Sequence, residues 1–168
     1  AEHHARSRRD AVALVAQARA VADAEGDAHP ALRAIAKHLT VLFDDLLPHL
    51  VFEERHVFPY VVALERAGRE GGALPVALFE SIAEPIADMI REHESADGAL
   101  HAIRELTGDH VPPPGASEAM TALYAALAAN EKELVRHMHL EGNVLFPRAE
   151  RLELKLRTSM GAGPRRRR

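Results

Sequence analysis

The chain has 168 residues, a formal charge of −4, no tryptophan and only 4% aromatic residues; the length suits one domain with a buried core, and the composition favours close-packed helices over a β-sandwich. The mild negative charge predicts no nucleic-acid partner. Absence of cysteine excludes disulfides, thiolate zinc sites and cysteine-ligated iron–sulfur clusters, whereas 11 histidines favour imidazole and carboxylate metal chemistry.

In chain order, a first helix is predicted over 2–25, with Ala11, Leu14, Ala18 and Val21 facing inward and Gly26 closing it. His4 extends that stripe one way and Glu25 the other. A second helix starts near Pro30 and reaches Phe58. Its stripe of Leu32, Ile35, Leu39, Leu42, Leu46, His49, Glu53 and Val57 alternates steps of three and four, so His49 and Glu53 share the leucine face. Pro48 is expected to bend it, Phe58-Pro59 to stop it, and Ala67 to Gly72 to form a loop.

The third helix begins near Ser81, which has capping-box spacing to Glu84. It carries Ile82, Ile86, Met89, His93, Ala96, Leu100 and Ile103 inward and stops at Thr107-Gly108. A stiff connector with Pro112-Pro113-Pro114 leads to a fourth helix over 117–146. There Leu123, Leu127, Asn130, Leu134, His137, Glu141 and Leu145 form the stripe, and Phe146-Pro147 again reads as a stop, with a shorter helical tail beyond. No apolar run approaches the roughly 20 residues that cross a bilayer. No signal peptide is visible, so a cytoplasmic protein without membrane contact is expected. Ala1 stands where an initiator methionine would, leaving room for residues upstream. The predicted fold is all-α, an up-down-up-down four-helix bundle over residues 1–160, followed by a basic disordered tail at 161–168.

The pattern His, Glu four residues later, then Phe-Pro occurs twice, at His49–Pro59 and at His137–Pro147. A carboxylate on a leucine face is costly unless paired or bound to metal. From His4 to the first turn the helix rises on the order of 32 Å, and from Pro30 to His49 it returns roughly 28 Å. His93 and His137 fold back in the same way. His4, His49, His93, His137, Glu53 and Glu141 are therefore expected at one level of the core. Glu25 and His29 fall at the other end, and His38 lies roughly 16 Å along the helix from His49. His139 lies about 200° around its helix from His137, while His56, His101 and His110 are read as surface residues.

Four histidines and two glutamates suit a two-metal centre in which carboxylates bridge and imidazoles cap. The donor set favours iron or manganese over zinc, with positions left open for an exogenous ligand. The plainer alternative, polar core residues satisfied by one another, is disfavoured by the repeat. Glu92, beside His93, either orients a ligand and carries a proton or belongs to a solvated helix face.

The pattern His, His-x-x-x-Glu, His, His-x-x-x-Glu resembles a hemerythrin-like domain. It most specifically resembles the repair-of-iron-centres proteins (YtfE/ScdA/DnrN type), on the stretches EHESADGALHAIRELT from Glu92 and ALYAALAANEKELVRHMHLEGNVLFPRA ending at Ala149. The resemblance implies two iron ions in an oxo- and carboxylate-bridged non-haem centre. His4, His49, His93 and His137 would be terminal ligands, and Glu53 and Glu141 the bridges. It implies a protein of nitrosative or oxidative stress response that donates iron to damaged iron–sulfur proteins. Alternatives are a hemerythrin-like protein that binds or senses O2 or NO, and a di-iron peroxidase or NO-reducing enzyme; a small ligand such as O2, NO or peroxide is expected in each case. Two departures stand out: the family's N-terminal cysteine domain is not in this chain, and Glu25 stands where the family often has His.

Overall fold

The structure, a computed structural model, describes residues 2–161, and side chains over 7–159. No strand occurs among them. Six α-helices are α1 (Glu2–Glu25), α2 (Ala31–Phe52), α3 (Phe58–Glu70), α4 (Ala83–Leu106), α5 (Glu118–Leu140) and α6 (Phe146–Gly161). The fold is the expected all-α helical bundle. Of the tail expected at 161–168, Gly161 ends α6, and 162–168 lie outside the described residues.

Neither Phe-Pro pair ends its helix, contrary to expectation. A π-helical turn, Glu53–Val57, leads from α2 into α3, and a second, Glu141–Leu145, leads from α5 into α6. The Phe58 N–H bonds the Glu53 carbonyl and the Phe146 N–H the Glu141 carbonyl, five residues back rather than four. In a regular helix the Pro59 ring would meet the carbonyl of Arg55, and Pro147 that of Asn143. The wider turn relieves that collision, and each proline then sits in the first turn of a new α-segment, where a missing N–H costs nothing. Pro48 lies inside α2 without interrupting it.

The chain divides into two compact units. The first comprises Ala1–Leu50 and Glu92–His137. Its core is the predicted stripes of α1 (Ala11, Leu14, Ala18, Val21) and α2 (Leu32, Ile35, Leu39, Leu42, Leu46), together with Leu100, Ile103, Leu123, Leu127 and Leu134. Ser117 is the N-cap of α5, its Oγ accepting from the Met120 N–H at 3.0 Å and donating to Glu25 Oε1 at 2.7 Å. Glu25 thus holds a helix cap.

The second unit comprises Val51–Arg91 and Met138–Arg168. Val57, Tyr60, Leu64, Ile82, Ile86, Met89, Phe146, Ala149 and Leu156 form its core. The Ser81–Glu84 capping box does not close. The start of α4 is capped instead from α6: the Ile82 N–H donates to both Glu153 oxygens at 3.2 and 3.3 Å, and the Ser81 hydroxyl donates to Glu153 Oε2 at 2.7 Å. Tyr60 donates to Glu153 Oε1 at 2.6 Å. A capping carboxylate from a distant helix is invisible to local spacing.

Candidate metal centre

His49 stands in the last turn of α2 and Glu53 opens the first π-turn; His137 and Glu141 repeat the arrangement at the end of α5. Each glutamate is therefore the residue at which the helix widens. Its carbonyl accepts the five-residue hydrogen bond while its side chain turns inward. Glu53 is fully buried, and His49 and Glu141 are buried. One ligand atom from each of His49, Glu53, His137 and Glu141 lies within 4.8 Å of the others, a group able to hold a metal ion.

In the first unit the His93 ring lies 5.0 Å from that of His49 and 6.5 Å from that of His137, centre to centre. The Nε2 atoms of all three are shielded from solvent, as are both Glu53 oxygens and Glu141 Oε2. Glu92 Oε2 lies 2.5 Å from His49 Nδ1. A neutral His49 donating from Nδ1 keeps its Nε2 lone pair for a metal. Glu92 itself is half exposed, so it reaches inward from the surface. The donor set, imidazole nitrogen with carboxylate oxygen and no sulfur, fits iron or manganese chemistry. His4 falls in α1, and its side chain lies outside the described residues. His139, excluded on angle, is exposed and contacts Asn143 Nδ2 through Nδ1 at 3.1 Å.

A cavity of about 720 Å³ opens within the first unit, with His137 among its lining residues. Leu14, Phe43, Leu46, Leu50 and Leu134 give it apolar walls, and Asp10 and Arg136 stand among its polar residues.

Sequence reasoning missed a second polar cluster. Glu131 is buried on α5, beside Arg104 of α4, and its Oε2 lies 2.5 Å from His110 Nε2. His110 is therefore partly buried rather than a surface residue. Burial alone would raise the Glu131 pKa, but hydrogen bonds from Arg104 and His110 bring it below the ordinary carboxylate value. Asn130 and Glu131 both fit the spacing between Leu127 and Leu134; the predicted stripe has Asn130, whereas Glu131 is the buried residue. The cluster contains Arg104, whose fixed positive charge disfavours a cation there.

Comparison with known proteins agrees with this geometry. Residues 5–149 match the family model described as the hemerythrin HHE cation binding domain. The chain is 34% identical over 150 residues to an iron–sulfur cluster repair protein YtfE of Pectobacterium atrosepticum, covering 89% of this chain and 62% of that relative. It is 37% identical over 135 residues to the iron–sulfur cluster repair protein DnrN of Neisseria gonorrhoeae, covering 80% and 76%. It thus spans about three-fifths of the length of the YtfE relatives. No described helix is long and apolar enough to cross a membrane.

Proposed function

The chain belongs to the hemerythrin HHE cation-binding family, and from that premise we propose that it holds a non-haem di-iron centre and supplies iron to damaged iron–sulfur proteins. His4, His49, His93 and His137 would hold the ions through imidazole nitrogen, and Glu53 and Glu141 through carboxylate oxygen. The observation that carries the reading is the group His49, Glu53, His137 and Glu141 within 4.8 Å, all but the partly buried His137 shut away from solvent, on a chain similar to cluster repair proteins. Bound iron supplies ligand exchange and one-electron chemistry; in the repair reaction iron is also the cargo. The protein's own part is to hold that iron away from water on side chains fixed at the ends of α2 and α5 and on α4.

The deciding experiment incubates iron-loaded protein, without oxygen, with an iron–sulfur enzyme inactivated by nitric oxide. Recovery should exceed that given by the same amount of free ferrous iron. Equal recovery removes the repair role. The cavity lined in part by His137 favours a second reading, a protein that binds or senses O2, NO or peroxide. A reversible, stoichiometric spectral change without client recovery would select that reading, and sustained turnover would select a peroxidase or NO-reducing enzyme. A cytoplasmic location goes with all three.

Glu92 is proposed to orient His49. Replacing it by alanine should weaken iron binding about 10–100-fold in competition with a chelator, as loss of a ligand's hydrogen-bonding partner does. Unchanged affinity would return Glu92 to the solvated face. Helical content should stay the same, because Glu92 is half exposed.

A further inference from the structure

In the second unit, α3 and α6 form a groove with a concentrated positive charge. Arg148, Arg151 and Lys155 recur at steps of three and four, so they share one face of α6. Arg69 of α3 lines the same groove, whose volume is about 740 Å³. Gly68 explains why the two helices can approach: a Cβ there would sit 3.0 Å from Leu152 Cδ1, and both residues line the groove.

One carboxylate organises the cations. Glu65 accepts from Arg148 at 2.9 Å and pairs with Arg69 at 3.5 Å, which fixes the direction of two guanidinium groups. No carboxylate among the described residues pairs with Arg151 or Lys155, so the groove keeps an excess of three positive charges. The whole chain has a formal charge of −4. Such a local reversal of sign acts over about a Debye length and raises the encounter rate with an oppositely charged surface.

We propose that the α3–α6 groove is a docking surface for an acidic segment of a protein partner. Arg69 and Arg148 are mostly exposed, standing up from the groove rather than closing over it. An open trough with exposed guanidiniums suits an extended chain bearing several carboxylates better than an enclosed small anion. The assignment deepens the repair reading, since a donor must meet its client, and it rests on that reading for the client's identity. The binding itself does not depend on it.

The test uses the full, iron-loaded chain and a fluorescent peptide of alternating glutamate and aspartate, followed by anisotropy at low and at physiological salt. Wild-type binding should weaken as salt rises, and Arg151→Glu/Lys155→Glu should weaken it at least tenfold at low salt. Arg19→Glu/Lys37→Glu changes net charge equally on other exposed residues, and should leave binding within twofold. Equal losses in the two variants would reduce the effect to net charge and overturn the proposal. So would binding of pyrophosphate in the groove with no peptide binding, which would assign it to small phosphates. Iron content and helical circular dichroism confirm that each variant is folded. Because the titration contains no client enzyme, it can fail while cluster repair succeeds, or succeed while repair fails.

Discussion

His137→Ala and Glu53→Ala are expected to lower bound iron from about two ions per chain, the stoichiometry of di-metal bundle sites, and to reduce thermal stability of the iron-loaded protein. A ligand that binds only the folded state at a hundred times its dissociation constant adds about 2.7 kcal/mol. For a chain of this size that corresponds to roughly 5–10 °C in Tm. The sign should reverse in the metal-free chain for Glu53→Gln. Glu53 is fully buried and Glu141 nearly so, and removing a buried charge lessens a desolvation cost that a bound cation offsets in the loaded protein. Iron analysis and calorimetry, with and without metal, read both signs. Full iron retention in His137→Ala and Glu53→Ala would refute the ligand assignment.

Glu153→Ala should cost about 3 kcal/mol without touching iron content, because it orphans the Tyr60 and Ser81 hydroxyls and the Ile82 N–H together. Glu153→Gln keeps an acceptor in place and should cost less, about 1–2 kcal/mol. Acid titration separates the two roles of the carboxylate. Burial would raise its pKa, but hydrogen bonds from Tyr60, Ser81, the Ile82 N–H and Arg157 bring it below the ordinary value of 4.5. A folded-state pKa below the unfolded one means stability that is complete above the ordinary value and lost as pH falls through the folded value. The gap between wild type and Glu153→Gln in urea unfolding should therefore be constant near neutrality and narrow in acid. A gap independent of pH would mean that the charge at Glu153 contributes nothing. Burial and the bond to Glu153 also raise the Tyr60 pKa, so its hydroxyl remains the donor throughout this range.

These two glutamates show why some of the molecule was legible and some was not. Glu53 lies on a repeated leucine stripe, four residues after a histidine, and the same pattern recurs at His137 and Glu141. Periodicity alone put both on the buried face. Glu153 has no such neighbour pattern, and its partners Tyr60, Ser81 and Ile82 come from α3 and the start of α4. Glu131 failed differently: it competed with Asn130 for one helical position, and only the approach of Arg104 and His110 makes a buried carboxylate tolerable there. His110 was misjudged for the same reason.

The sequence by itself determined the helical class, the inward stripes of α1 and α2 and the two His-x-x-x-Glu pairs, because amphipathic spacing is a local, periodic property. It also pointed to metal, since a carboxylate among leucines is tolerated only when it is paired or bound to a cation. Only the tertiary structure decided how each helix passes its Phe-Pro pair. Proline's steric conflict with the carbonyl four residues back can be met by stopping or by widening the turn, and local propensity does not choose between them. Packing chose the wider turn, and in doing so made Glu53 and Glu141 the first residues of the π-turns. The approach of Glu92 to His49, the cavity that His137 helps to line and the basic groove of α3 and α6 are likewise decided by which helix faces meet.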